Sequence, residues 1–169
     1  MIPMDLSSDE VIADDTDPAV AYYPIESWNI VQGEGDRPDE DYYGGLYRMT
    51  RNRSAYATFS FTGSHVAYYS DMNHDHGAFK VSIDDRTVAT SSSYSPEWQR
   101  KHQLFNQSVE PGSHVLRITN MEDSVMGADF FAYAERYRDV LVADWSAMQI
   151  HAAPILYPRR TISQHCSSE

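Results

Sequence analysis

The chain has 169 residues, enough for one full hydrophobic core, and no low-complexity linker divides its middle. Thirteen basic against twenty-five acidic side chains give a net charge of -12, so nucleic acid would be repelled unless a local basic stripe intervened. The densest basic stretch, Arg48, Arg51 and Arg53, is short and interrupted, and the lone Cys166 excludes an internal disulfide and a thiolate zinc cage.

No basic segment followed by an apolar run near the N-terminus marks a signal peptide or membrane anchor, so the expectation is an intracellular protein or a trimmed mature piece, without a membrane span. The first seventeen residues carry Asp5, Asp9, Glu10, Asp14, Asp15 and Asp17, which predicts a solvated acidic arm over residues 1–13. Strands follow over 19–23 and 27–31, then an acidic surface loop over 33–41, then a sharp turn at Gly44-Gly45 before a strand over 46–50. Residues 56–62 alternate strictly, with Ala57, Phe59 and Phe61 on one side and Tyr56, Thr58, Ser60 and Thr62 on the other, which is the period of a half-buried strand. Phe79, Val81 and Ile83 repeat the pattern, as do Leu116 and Ile118. Further strands are expected over 65–70, 78–83, 87–90, 102–109, 114–119 and 129–137, separated by turns at Thr62-Gly63, Asp84-Asp85 and Pro111-Gly112. Many short strands at this spacing define an all-β chain, an antiparallel β-sandwich or jelly roll. Val140, Leu141, Trp145 and Met148 suggest a terminal helix over 138–151 in a C-terminal extension, 138–169.

An ordered set of words runs through residues 14–135. Asp14-Asp15-Thr16-Asp17-Pro18 comes first, then Tyr22 and Trp28, then Tyr43-Gly44-Gly45-Leu46-Tyr47, then Ala57-Thr58-Phe59-Ser60-Phe61-Thr62-Gly63. Asp75-His76-Gly77, Tyr94-Ser95-Pro96, Gln103-Leu104-Phe105, Pro111-Gly112-Ser113-His114-Val115-Leu116 and Asp129-Phe130-Phe131 complete it. In this order and spacing the segment resembles a fungal branch of the galactose-binding-like domains, the jelly-roll sandwiches shared by discoidin domains and many carbohydrate-binding modules. The resemblance implies a lectin-like extracellular or cell-surface module over residues 14–137 that binds sugars. It also implies a structural calcium where the first and last strands meet, which here would fall to Asp14, Asp15 and Asp129, since calcium takes hard oxygen ligands.

A sugar exposes apolar C–H faces ringed by hydroxyls, so its site needs an aromatic platform beside groups that hydrogen-bond in a plane. Tyr42, Tyr43, Tyr94 and Trp98 fall in predicted loops, and Asp75, His76 and Gln103 supply polar partners. The ligand set read from the sequence is Tyr43, Asp75, His76, Tyr94, Trp98 and Gln103. The plain structural alternative is that the two aromatics at 94 and 98 cap the sandwich and that Gln103 satisfies backbone groups. If extended, His74 and His76 would share a face and could share a metal, whereas Asp75 and His76 would point oppositely. No serine-nucleophile elbow, phosphate-binding loop or zincin helix is present. The first functional expectation is a non-catalytic module recognising a carbohydrate or other small-molecule ligand. The second is a small enzyme acting on an apolar metabolite, with His74, Asp75 or His76 as acid or base and the segment around Trp145 and Met148 walling its cleft.

Overall fold

The computed structural model describes residues 9–135. Ten strands carry the fold: β1 (Glu10–Asp14), β2 (Val20–Tyr23), β3 (Asn29–Gln32), β4 (Leu46–Thr50), β5 (Tyr56–Met72), β6 (Ala78–Ile83), β7 (Arg86–Ser92), β8 (Gln99–Asn120), β9 (Met126–Ala128) and β10 (Phe130–Ala134). All pair antiparallel. The larger sheet runs β1-β10-β5-β8-β6-β7 with β2 alongside β5, and the smaller one runs β3-β4-β9. Among the described residues the one α-helical segment is the short α1 (Pro38–Asp41).

The alternation at 56–62 grows into a strand more than twice that long. β5 and β8 stay paired from Tyr56↔Thr119 through Gly63↔Gly112 and on to Met72↔Gln99, with irregularities after Gly63, Tyr68 and Ser70. The glycines therefore mark a bend rather than strand ends, because a bulge redirects a ladder without closing it. Contacts across the core show how far the sheet doubles back. Phe79 pairs with Asn120, beside the Tyr56 end of β5, yet its ring centroid lies 5.8 Å from that of Tyr68. Twelve further residues of straight strand would separate them by roughly 40 Å. The two halves of the folded sheet thus face each other as layers, with Phe59, Phe61, Tyr68, Phe79, Leu116 and Phe131 buried between them. Phe59 and Phe131 stack across this core at 4.8 Å. Asp84 and Asp85 both adopt positive φ at the β6-β7 hairpin, as a two-residue turn requires.

Two expectations are corrected. The acidic arm is a strand from Glu10 onward: β1 pairs residue for residue with β10, burying Ala13 in the core while Ile12 packs against a small cluster of Ala67, Tyr69, Phe130 and Ala132. The alternation was hidden because Glu10 and Asp14 flank a core of only three apolar residues. β9, which contains a glycine and only three residues, is a second strand that the pattern does not reveal. The expected terminal helix, Trp145, Met148 and Cys166 lie outside the described residues.

Candidate functional site

At one end of the sandwich a cavity of about 200 Å³ is walled by Tyr42, Tyr47, Trp98, Asp71, Asp75 and His76, with Val31, Met49 and Val125 beside them. Each wall has a local cause. β5 delivers Asp71 at its end, and the chain then turns, with the His76 amide donating to the Asn73 carbonyl at 3.2 Å. Isolated bridges from Asn73 to Tyr94 and from His76 to Val125 pin that turn. Gly77 leaves room behind it, because a Cβ there would crowd the side chains of Ser124 and Glu122. Gly127 matters more, since a Cβ on it would occupy the place of the Tyr47 ring and hydroxyl. The missing side chain lets Tyr47 lie buried against β9 and stack on Tyr42 at 4.6 Å.

The polar groups form one chain. Trp98 donates its indole N–H to Asp71 Oδ2 at 3.1 Å, and Asp71 Oδ1 lies 3.0 Å from His76 Nε2. His76 Nδ1 lies 3.1 Å from Asp75 Oδ1, and Arg51 donates to Asp75 Oδ2 at 2.6 Å. Tyr47 Oη sits 3.3 Å from His76 Nε2. Burial pushes the Asp75 carboxyl up, but the hydrogen bonds from Arg51 and His76 outweigh it and hold the group below the usual carboxylate range. Burial, with Asp71 beside it, drives the Tyr47 hydroxyl far upward, so it stays neutral. The Arg100 guanidinium covers one face of Trp98 at 3.9 Å while pairing with Asp41 at 2.8 Å, which leaves a single indole face for a ligand.

Of the residues expected from the sequence, Asp75, His76 and Trp98 line this cavity, and Tyr43, Tyr94 and Gln103 do not. Tyr43 packs on Phe130 at 5.2 Å, and Gln103 donates to the Tyr69 hydroxyl at 2.6 Å, so both serve the small apolar cluster instead. Tyr94 is exposed beside the bridge to Asn73. His74 is exposed too, its ring held by Asn73 at 2.9 Å, so it shares no site with His76. Asp75 and His76 do touch, because the turn replaces the extended geometry that would have parted them. Asp71 and Tyr47 had no loop signal, since both belong to strands; a carboxylate set inside the apolar run Val66-Ala67-Tyr68-Tyr69 onward was the one available clue.

A second carboxylate group lies where β1 and β10 meet. The side chains of Asp15 and Asp129 are fully buried, and Asp15 N donates to the Asp129 carbonyl at 3.0 Å. Asp129 Oδ1 accepts from Tyr43 N at 2.8 Å, and Asp14 accepts from Thr16 at 2.7 Å. Asp14 Oδ1, both Asp15 oxygens and Asp129 Oδ2 are buried without hydrogen-bond partners. Arg48 Nε stands 3.4 Å from Asp15 Oδ2, near enough to attract by charge but not aligned to donate. Burial raises Asp15 to about 7 and Asp129 to about 8, each aided by the neighbouring carboxylates. Hard unpartnered oxygens suit calcium in chemistry. Among the described residues, however, no three acidic, histidine or cysteine side chains converge as a ligand set.

A wider, open hollow of about 720 Å³ lies near the bend, over Phe61, His114 and Tyr133. Its polar groups are tied to one another: Thr62 pairs with Ser113 at 3.0 Å, and His114 is held by Asp84 at 2.7 Å and by the Glu110 carbonyl.

No family model matches the chain, and no curated protein matches it in sequence. Solved structures do. A family 35 carbohydrate-binding module from Clostridium thermocellum aligns over 73% of this chain and 95% of its own, with TM-score 0.52 and 14% identity. A module of the same family from Paenibacillus barcinonensis aligns over 72% and 95%, with TM-score 0.54 and 9% identity. The Agl-KA catalytic domain aligns over 78% of this chain but only 28% of its own length, with TM-score 0.53 and 16% identity. At these identities the likeness establishes an antiparallel β-sandwich of the kind carbohydrate-binding modules use.

Proposed function

We propose that the chain is a non-catalytic carbohydrate-binding module of the galactose-binding-like kind, and that the cavity bounded by Tyr42, Tyr47 and Trp98 is its ligand site. One observation carries the reading: three aromatic rings and the Asp71–His76–Asp75 chain converge in one concavity at the loop end of a fold shared with family 35 modules. Rings supply faces for sugar C–H groups, and fixed carboxylate and imidazole edges supply in-plane hydrogen bonds. For the enzymatic alternative, His76 would have to act from between Asp71 and Asp75, which lie 3.0 and 3.1 Å from its two nitrogens.

Calcium belongs to this reading as a structural ion. Asp14, Asp15 and Asp129 would hold it, converging further than they do here, and it would supply charge compensation to oxygens that lack donors. A glycan array run with and without calcium tests the assignment. Binding of at least one glycan, lost in Trp98→Ala, is expected; an array with no signal in either condition would reject it.

A further inference from the structure

Resting on that carbohydrate reading, we propose that the cavity takes a single neutral sugar ring of a glycan and turns away uronates.

Size sets the first half. The cavity holds about 200 Å³, below the ~300 Å³ at which drug-sized ligand sites begin. Val31, Met49 and Val125 line it beside the rings, and the space between holds about one ring. Only one face of Trp98 is open, because Arg100 covers the other. That arrangement serves a single ring rather than a chain lying along a platform.

Charge sets the second half. Every ionic group at the wall already has its partner inside the protein. Asp71 is held by Trp98 and His76, and Asp75 by His76 and Arg51. Arg100, the other nearby cation, is taken by Asp41. Two carboxylates thus stand at the wall, and both nearby guanidiniums are engaged. A sugar carboxylate entering here would shed its water with no free cation to receive it, close to Asp71 and Asp75. The chain's net charge of -12 is screened by salt beyond about 8 Å, so these local groups decide. Hydroxyls need no such compensation, and the spare lone pairs of both carboxylates accept them.

The test is calorimetric titration of the full chain with methyl glycosides of galactose, glucose, mannose and xylose, with the uronate forms of the hexoses, and with oligosaccharides ending in the best-bound ring. One neutral glycoside should bind, its uronate about tenfold or more weaker and its oligosaccharides within about threefold. Asp75→Asn, which removes one carboxylate and frees Arg51, should narrow the gap between neutral sugar and uronate. A uronate binding the native chain as well as the neutral form, or oligosaccharides gaining more than about tenfold, would overturn the inference while leaving the carbohydrate reading intact. Absence of binding by every probe would overturn both.

Discussion

Asp71 and Asp15 are equally hidden from solvent, yet their surroundings differ in kind. Both oxygens of Asp71 have a partner, the Trp98 N–H and His76 Nε2, and beyond them the chain of contacts runs through His76 and Asp75 to Arg51 at the surface. Neither oxygen of Asp15 has a hydrogen-bond partner, and Asp129 and Asp14 nearby each leave one oxygen bare. A buried carboxylate with its donors in place rigidifies what surrounds it, whereas one without them is a cost that a proton or a cation must offset. The cavity wall is complete within the protein, and the strand junction is not.

The sharpest way to break that contrast is to empty the wall. Asp71→Ala takes away the acceptor of the Trp98 N–H and the closest partner of His76 Nε2, and should cost about 3 kcal/mol of unfolding free energy in denaturant titration. A loss below about 0.5 kcal/mol would mean that the chain of contacts does not organise the cavity.

The junction should respond in the opposite sense. Folded values near 7 for Asp15 and 8 for Asp129 lie above the ordinary 3.8, so the protonated forms are bound more tightly in the folded state. Their contribution to stability is whole below about pH 4 and is lost as pH rises through about 8. In chelator, melting temperature should therefore fall across that window. Asp129→Asn, which keeps an acceptor for Tyr43 N, should stabilise the chain at pH 8 by on the order of 2 kcal/mol. Calcium should restore the native chain at pH 8 and do little for Asp129→Asn. A melting temperature indifferent to pH and calcium alike would show that other groups satisfy these oxygens.

Ligand affinity distinguishes the aromatics in the same way. Trp98→Ala should weaken sugar binding about tenfold, whereas Tyr94→Ala, which removes a ring outside the cavity, should change it less than twofold. Equal losses in the two variants would move the site toward the exposed loop around Tyr94.

How legible this was in the sequence follows from which signals are local. Phe59-Ser60-Phe61 and Phe79-Lys80-Val81 announce strands because one face of each is buried, and the Asp84-Asp85 hairpin announces itself by residues that tolerate positive φ. The continuity of β5 and β8 through Gly63 and Pro111-Gly112 was hidden, since residues that favour turns also serve at a bend inside a ladder. For the cavity, Asp75, His76 and Trp98 stood out as polar and aromatic residues between strands. Tyr47 did not, because its place at the cavity depends on Gly127 in a strand eighty residues away, and Asp71 did not, because it sits inside the long strand β5. Tyr43 and Gln103 carry the same chemistry as the true lining, and only the fold sends them to the opposite cluster.

Arg51 gives the finest measure of how far the wall depends on its outer end. Its guanidinium is more than half exposed and pairs with an Asp75 that is one-third exposed, so solvent screens the attraction. Arg51→Ala should cost only about 0.5 kcal/mol of stability, and less in high salt. The inner members have no such access to water, which is why the loss expected at Asp71 is several times larger although each carboxylate contacts the same imidazole. If Arg51→Ala instead proved as damaging as Asp71→Ala, the four groups would act as one cooperative unit, and removing both in one chain should then cost no more than removing either.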